Sequence, residues 1–447
     1  MFTPTELLKQ YLKEAFAREG VPASDLRIRT WQDYRRELAR NAFGVLRTAS
    51  GGGTFVLKDS LPSLSEAALD RPIQWFDDFD AWQRNAYVQE LHEAAALLHD
   101  AKSPEVESLG ARLQDILVRA GDGALASTFG SLAAELPKVQ ALVTSLKDAS
   151  DGKIKAALNL QLNRNRAFLD ELARVIDSLQ PAQATDADEQ DDLDAEEEED
   201  ATAPRTGRAA ALNAYMQAVR AQARAAASKR TLSKASRNGK IIEWLADRGL
   251  TEVDRADVGA SLLVQTNARR FVNPVKRYLD GIPKGYRAFR RERQQAGSWY
   301  RNEGFEARDI HPLELDIVLL AILRAAGDLI SRPNVQRDID SPAWSALQPI
   351  LGHYRNQVLV DEATDFSPIQ LACMAALAHP RLRSFFACGD FNQRLTTWGA
   401  RSADEMKWVF ADFDIKEITV SYRQSKQLNE LARAMIRAVG GTEQNVS

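Results

Sequence analysis

Leu7, Leu8, Tyr11, Leu12, Ala15 and Phe16 recur at helical spacing. They follow Thr3-Pro4-Thr5-Glu6, where a threonine cap, an early proline and an acid open a helix. Gly20 and Pro22 close it. Leu26 to Trp31 alternates as a short strand, and Asp33 to Arg40 returns to a helical pattern. From about residue 64 to 180 the pattern is almost wholly helical, rich in Ala, Leu, Glu and Gln. Leu313 to Ile330 is apolar nearly all round, which predicts an interior helix. Three short apolar runs follow, with helical segments between them. They are Val358-Leu359-Val360 before Asp361, Phe385-Phe386-Ala387-Cys388 before Gly389, and Ile418-Thr419-Val420 before Ser421. This is the βαβ rhythm of a parallel sheet, and such sheets gather ligands at the carboxyl ends of their strands.

Charge divides the chain further. Asp186 to Asp200 holds 11 acids in 15 positions and no base, a self-repelling run that reads as a disordered linker. Residues 205–308 reverse the sign, with 22 Lys+Arg against 9 Asp+Glu. Arg208 to Arg230 reads as a basic, Ala-rich helix. Beyond it, bases interleave with aromatics from Arg269 to Tyr300, a composition suited to single-stranded nucleic acid. The formal net charge of −4 over 447 residues hides this asymmetry.

Composition excludes several classes. Two cysteines, Cys373 and Cys388, make no disulfide framework, and with five scattered histidines they give no zinc-ligand spacing. The cysteine usage suits a reducing, cytoplasmic setting. The apolar run Ile317 to Leu323 falls far short of the roughly 20 residues needed to span a bilayer, and Met1 to Gln10 has no signal-peptide pattern. No membrane association is expected.

The chemistry sits at the strand ends. Val360 runs into Asp361 and Glu362, two adjacent carboxylates. One acid there can hold Mg²⁺, which takes oxygen ligands and keeps several waters, while the next orients or deprotonates a water attacking a phosphate. Cys388-Gly389-Asp390 is followed by Gln393, a neutral amide suited to reporting a γ-phosphate, and by Trp398, a stacking face for an unpaired base. Ser421-Tyr422-Arg423 offers a ring for a nucleotide base and a cation for transferred-phosphate charge. Each block alone is equally a turn, a helix cap or an exposed dipeptide. Their order, at spacings of about 28 and 32 residues, is more specific.

Together they resemble motifs II, III and IV of the UvrD/Rep-type superfamily 1 helicases. Asp361-Glu362-Ala363-Thr364-Asp365 resembles the DExxD box, the segment from Gly389 through Gln393 to Trp398 the GDxxQ…W box, and Ser421-Tyr422-Arg423 the NYR box. Phe2 to Thr5 looks like the early strand end that touches the DNA backbone, and Arg29-Thr30-Trp31 like its companion. The resemblance covers about 1–45 and 311–440. It implies Asp361 as the Mg²⁺ acid, Glu362 as general base, Gln393 and Arg423 as γ-phosphate contacts, and Tyr422 with Asp390 at the nucleotide. Thr3, Thr30, Trp31 and Trp398 would meet DNA. The implied cofactors are ATP and Mg²⁺, and the implied partner is single-stranded or partly duplex DNA. Thr364 departs from the family's usual Gln, and Thr396 from its frequent Tyr.

One part is missing from the pattern: no GxxxxGK[ST], the loop whose backbone amides and lysine cradle phosphates, occurs in the sequence. The nearest glycine run, Ser50 to Lys58, has a displaced lysine. In the family this loop precedes the segment resembling Phe2 to Thr5, so the expectation is a fragment or shortened form of a larger helicase, needing absent segments or a partner protein. The expected fold class is α/β, a P-loop-NTPase-like parallel sheet lacking the phosphate-loop segment, with a large, mostly helical insertion. The expected divisions are 1–50 and 311–447 for the motor domain, 51–185 and 205–310 for the insertion, and 186–204 for the linker. The alternative is a catalytically inactive nucleic-acid-binding or regulatory module that retains the fold. A Mg²⁺-dependent nuclease using Asp361, Glu362 and Asp390 leaves Gln393, Tyr422 and Arg423 without a role.

Overall fold

A computed structural model of the chain describes residues 1–48, 52–59, 63–120, 125–179, 207–301, 306–390, 398–416 and 426–438. It is an α/β protein, mostly helical, with a small parallel sheet. The chain packs as two units. The first comprises Met1–Gln89, Ala124–Gly130 and Val275–Ser447, the second Glu90–Gly123 and Ser131–Pro274. Residues 52–89 and 275–301, grouped with the insertion by sequence pattern, thus pack within the first unit.

In the first unit, strands β1 (Phe2–Thr3), β2 (Arg29–Thr30), β5 (Val358–Val360) and β6 (Phe385–Ala387) form one parallel sheet in the order β2-β1-β5-β6. The register pairs Phe2 with both Arg29 and Val360, and Val360 with Ala387. The N- and C-terminal segments therefore share one sheet, and the carboxyl ends of β1, β5 and β6 lie side by side. Strands β3 (Val56–Leu57) and β4 (Asp309–Ile310) form a separate parallel pair. In the glycine-rich run, Thr54 and Phe55 N–H both donate to the Val45 carbonyl just before β3. The third apolar run, Ile418 to Val420, lies outside the described residues.

The helix Pro312–Ile330 is interior as expected, with every residue from Glu314 to Leu323 buried. Its acid Asp316 is wholly buried and accepts from Trp31 Nε1 (2.9 Å), Arg35 (2.9 Å) and Gln370 Nε2 (3.1 Å). Every partner of this carboxylate is a donor, as an acceptor-only group requires. The helix Glu6–Arg18 is capped by Thr5, whose hydroxyl accepts from Leu8 N–H, but it leaves Leu7 and Tyr11 exposed.

Most of the interleaved aromatics are interior, while Arg277, Lys284 and Arg291 between them are exposed. Tyr278, Tyr286, Phe289 and Tyr300 are buried, and Tyr286 and Tyr300 share a 2.9 Å hydrogen bond. Arg290 is buried against Glu314, and Arg293 clasps Asp78 with two 2.7 Å bonds. The alternation that suggested a nucleic-acid face is that of one amphipathic helix, Pro274–Gln295, with its rings in the core.

The second unit is a helical cluster. Helices Phe168–Ser178, Arg237–Leu245 and Glu252–Arg269 pack on Gly207–Ala227 around Phe168, Leu172, Tyr215, Val219, Ile241 and Leu262. Arg220 pairs with Asp151 at 2.6 Å. Among the described residues no helix is long and apolar enough to cross a membrane.

Candidate functional site

The site is built where β5 ends. Val358 and Val360 are buried, so the strand is fixed in the sheet and the next residue is the first free to be polar. Asp361 N–H donates to the Phe2 carbonyl at 3.0 Å, extending the ladder by one residue. Glu362 then takes a left-handed conformation (φ 50°, ψ 48°), which a non-glycine residue adopts at a cost of about 1–3 kcal/mol. The chain turns through a short 3₁₀ segment, Ala363–Asp365, into the helix Pro368–Ala376. Ser367 and Gln370 cap that helix reciprocally. The strain at Glu362 holds two adjacent carboxylates, both half-buried, at the mouth of the sheet.

The second block is locked against the first. Cys388 N–H donates to the Val360 carbonyl (3.0 Å), and Ala363 N–H donates to the Cys388 carbonyl (2.8 Å). Thr364 Oγ1 donates to the Asp390 carbonyl at 3.0 Å. A methyl group on Gly389 would lie 2.9 Å from Thr364 N and 3.0 Å from Ala363 N, so this approach of two backbones admits only glycine. The Cys388 thiol donates to Asp361 Oδ1 at 3.3 Å. Burial, followed by that bond and the charges of Asp361 and Glu362, pushes the thiol up to about 11. It therefore stays protonated at neutral pH, a donor rather than a nucleophile.

Of the expected residues, Asp361, Glu362 and Asp390 are brought together. Thr3 ends the neighbouring strand; its hydroxyl is buried and has no hydrogen-bond partner among the described residues. Thr30 is buried and caps the helix Trp31–Glu37, donating to Asp33 Oδ2 at 2.7 Å. Trp31 lies in the interior, 2% exposed, packed edge-on against Phe2 and bonded to Asp316. The DNA contact that the resemblance implied for Trp31 has no open ring face to use. Trp398 is 39% exposed, and the segment behind it is tied down where Ala400 N–H meets the Phe366 carbonyl at 2.9 Å. Gln393, Tyr422 and Arg423 lie outside the described residues.

Sequence reasoning missed the buried Asp316, Arg35 and Gln370, which tie Trp31 to the helix leaving the DEATD segment. Glu314 and Asp316, two acids at the start of the apolar run that continues to Leu323, were the available signal. Among the described residues no three His, Cys, Asp or Glu side chains gather as a metal cage. The donor set is two adjacent carboxylates beside open solvent. That suits a hard cation retaining most of its waters, as Mg²⁺ does. For a triphosphate the fit is incomplete, because the sequence carries no phosphate-cradling loop. Comparison with protein-family models, curated proteins and solved structures returns no match.

Proposed function

We propose that this chain carries the acidic half of a nucleotide-hydrolysing motor of the UvrD/Rep type, on a P-loop-NTPase-like sheet, working on single-stranded or partly duplex DNA. The observation supporting it is the locking of Asp361-Glu362-Ala363-Thr364 to Cys388-Gly389-Asp390 at the carboxyl ends of two adjacent parallel strands. In this reading Asp361 holds Mg²⁺ and Glu362 orients and deprotonates the attacking water. Gln393, Arg423 and Tyr422 join the nucleotide by their places in the sequence. Of the residues expected to meet DNA, Trp398 is exposed, whereas Thr3, like Thr30 and Trp31, is buried. Phosphate cradling is assigned to a segment outside this sequence. The runner-up, a catalytically inactive nucleic-acid-binding or regulatory module that retains the fold, draws its support from the same missing loop.

Paramagnetic titration with Mn²⁺ in place of Mg²⁺, in the presence of ATP, tests the reading. The chain is expected to bind the ion, and Asp361→Asn is expected to weaken binding at least tenfold. DNA-stimulated hydrolysis is expected only once a phosphate-cradling segment is supplied, and Glu362→Gln should abolish it. Metal binding indifferent to Asp361 defeats the reading. Hydrolysis by the chain alone that Glu362→Gln abolishes would keep the motor and refute the outside segment.

A further inference from the structure

The turn between the helices Gly207–Ala227 and Arg237–Leu245 of the second unit carries Lys229, Arg230, Lys234, Arg237 and Lys240, with no acid between them. All five are exposed, and none has an ion pair or side-chain hydrogen bond among the described residues. Elsewhere in this unit some bases are paired, as Arg220 is with Asp151 and Lys153 with Asp257.

The backbone supplies a second, independent observation. The first helix ends with Arg230 N–H bonded to the Ala225 carbonyl and Lys229 N–H to the Ala226 carbonyl. This double closure puts its left-handed residue at the position that usually takes glycine. Here it is Lys229, at φ 55°. A strained lysine holds a charge where glycine would be the easier choice.

The second helix violates another local preference. Ser236 caps it, its hydroxyl accepting from Gly239 N–H at 3.0 Å and donating to the Ser233 carbonyl at 2.7 Å. Its first turn has no acid and instead carries Arg237 and Lys240, on the positive end of the helix dipole. Lys229 and Arg230 suit the carboxyl end of the preceding helix; Arg237 and Lys240 oppose the dipole and have no compensating ion pair among the described residues. Gly239 fixes the turn, since a side chain there would run into the Ser233 carbonyl at 2.0 Å. Local rules broken together, with no compensating contact, mark a place shaped by something bound.

We infer that this turn is a phosphate-backbone contact surface for single-stranded nucleic acid. Its hydroxyls and cations are the groups that position a phosphate chain without reading sequence: Ser228, Thr231 and Ser233 are exposed among the bases. A bilayer surface would want large apolar side chains beside the cations, and none from Lys229 to Lys240 is exposed. The inference stands apart from the hydrolysis reading, because it concerns the other unit and is measured without nucleotide or divalent metal.

Fluorescence anisotropy of the full chain with a labelled oligothymidylate, over a salt series, tests it. Arg230→Ala, Lys234→Ala and Arg237→Ala combined should weaken binding at least tenfold at 0.1 M salt and flatten the log–log salt slope by about 2, given about 0.7 per phosphate contact on a single strand. Lys229→Gly should weaken binding while leaving Tm unchanged or raised, because glycine relieves the left-handed strain. A purely structural lysine would raise Tm and leave affinity alone. Unchanged affinity and slope in the triple variant overturn the inference. So does an effect that emerges only after Asp186–Asp200 is deleted, which would make the chain's own acidic run the occupant. Loss of binding to phosphatidylserine vesicles with oligothymidylate affinity intact would overturn it as well.

Discussion

Gly389 carries the strictest local requirement of the site. The two backbones it separates belong to the two acidic blocks, so any side chain there must push Ala363 and Thr364 away from Cys388 and Asp390. Backbone is not a flexible neighbour, and forcing extra volume into such a contact costs about 1–3 kcal/mol. Gly389→Ala should lower stability by that amount in urea denaturation and, by moving Asp361 and Glu362, weaken Mn²⁺ binding too. An unchanged denaturation midpoint would mean the approach is not tight. That Gly389 precedes an acid was legible in the sequence; that it must be glycine was not, because the clash comes from residues 25 and 26 positions earlier. Trp31 gives the opposite lesson. An aromatic after a strand-ending threonine reads the same whether it faces a ligand or the core, and only its bond to Asp316 decides.

At the scale of elements, the helix Pro312–Ile330 shows what periodicity can and cannot tell. Its all-round apolar pattern gave its interior position. The cap was hidden, because His311 is not among the usual capping residues. The neutral imidazole Nδ1 accepts from Leu313 N–H at 3.2 Å, while Glu314 accepts from His311 N–H at 2.8 Å. Burial, then the positive charge of Arg35, pushes the His311 imidazole down to about 4, with Asp59 opposing. A histidine held below its unfolded value of about 6.5 favours the folded state while neutral. That contribution is complete above pH 6.5 and is lost as pH falls toward 4. A shift of this size corresponds to about 3 kcal/mol, most of it developed between pH 6.5 and pH 4. Denaturant unfolding at pH 6.5 and pH 4, compared with His311→Asn, measures it: asparagine keeps an acceptor and does not titrate. The parent chain should lose about that much more stability than the variant; equal losses would refute the role.

The whole molecule was harder to read, because the sequence shows where charge lies but not what it faces. In the structure the positive excess of residues 205–308 falls into parts of different character. From Lys276 onward, Arg290 and Arg293 are matched to Glu314 and Asp78 around a buried aromatic cluster. From Lys229 to Lys240 the bases face solvent. The acidic run Asp186–Asp200 has the opposite sign, and its 11 acids outweigh the chain's net charge of −4; without them it becomes +7. A field of that sign repels a phosphate chain at long range and is screened beyond a Debye length of about 10 Å at 0.1 M salt. Deleting Asp186–Asp200 should therefore tighten oligothymidylate binding several-fold near 0.05 M salt, with the gain fading as salt approaches about 0.5 M. A gain independent of salt would point to a direct contact instead of a field. No gain at any salt concentration would show that the run does not oppose nucleic acid.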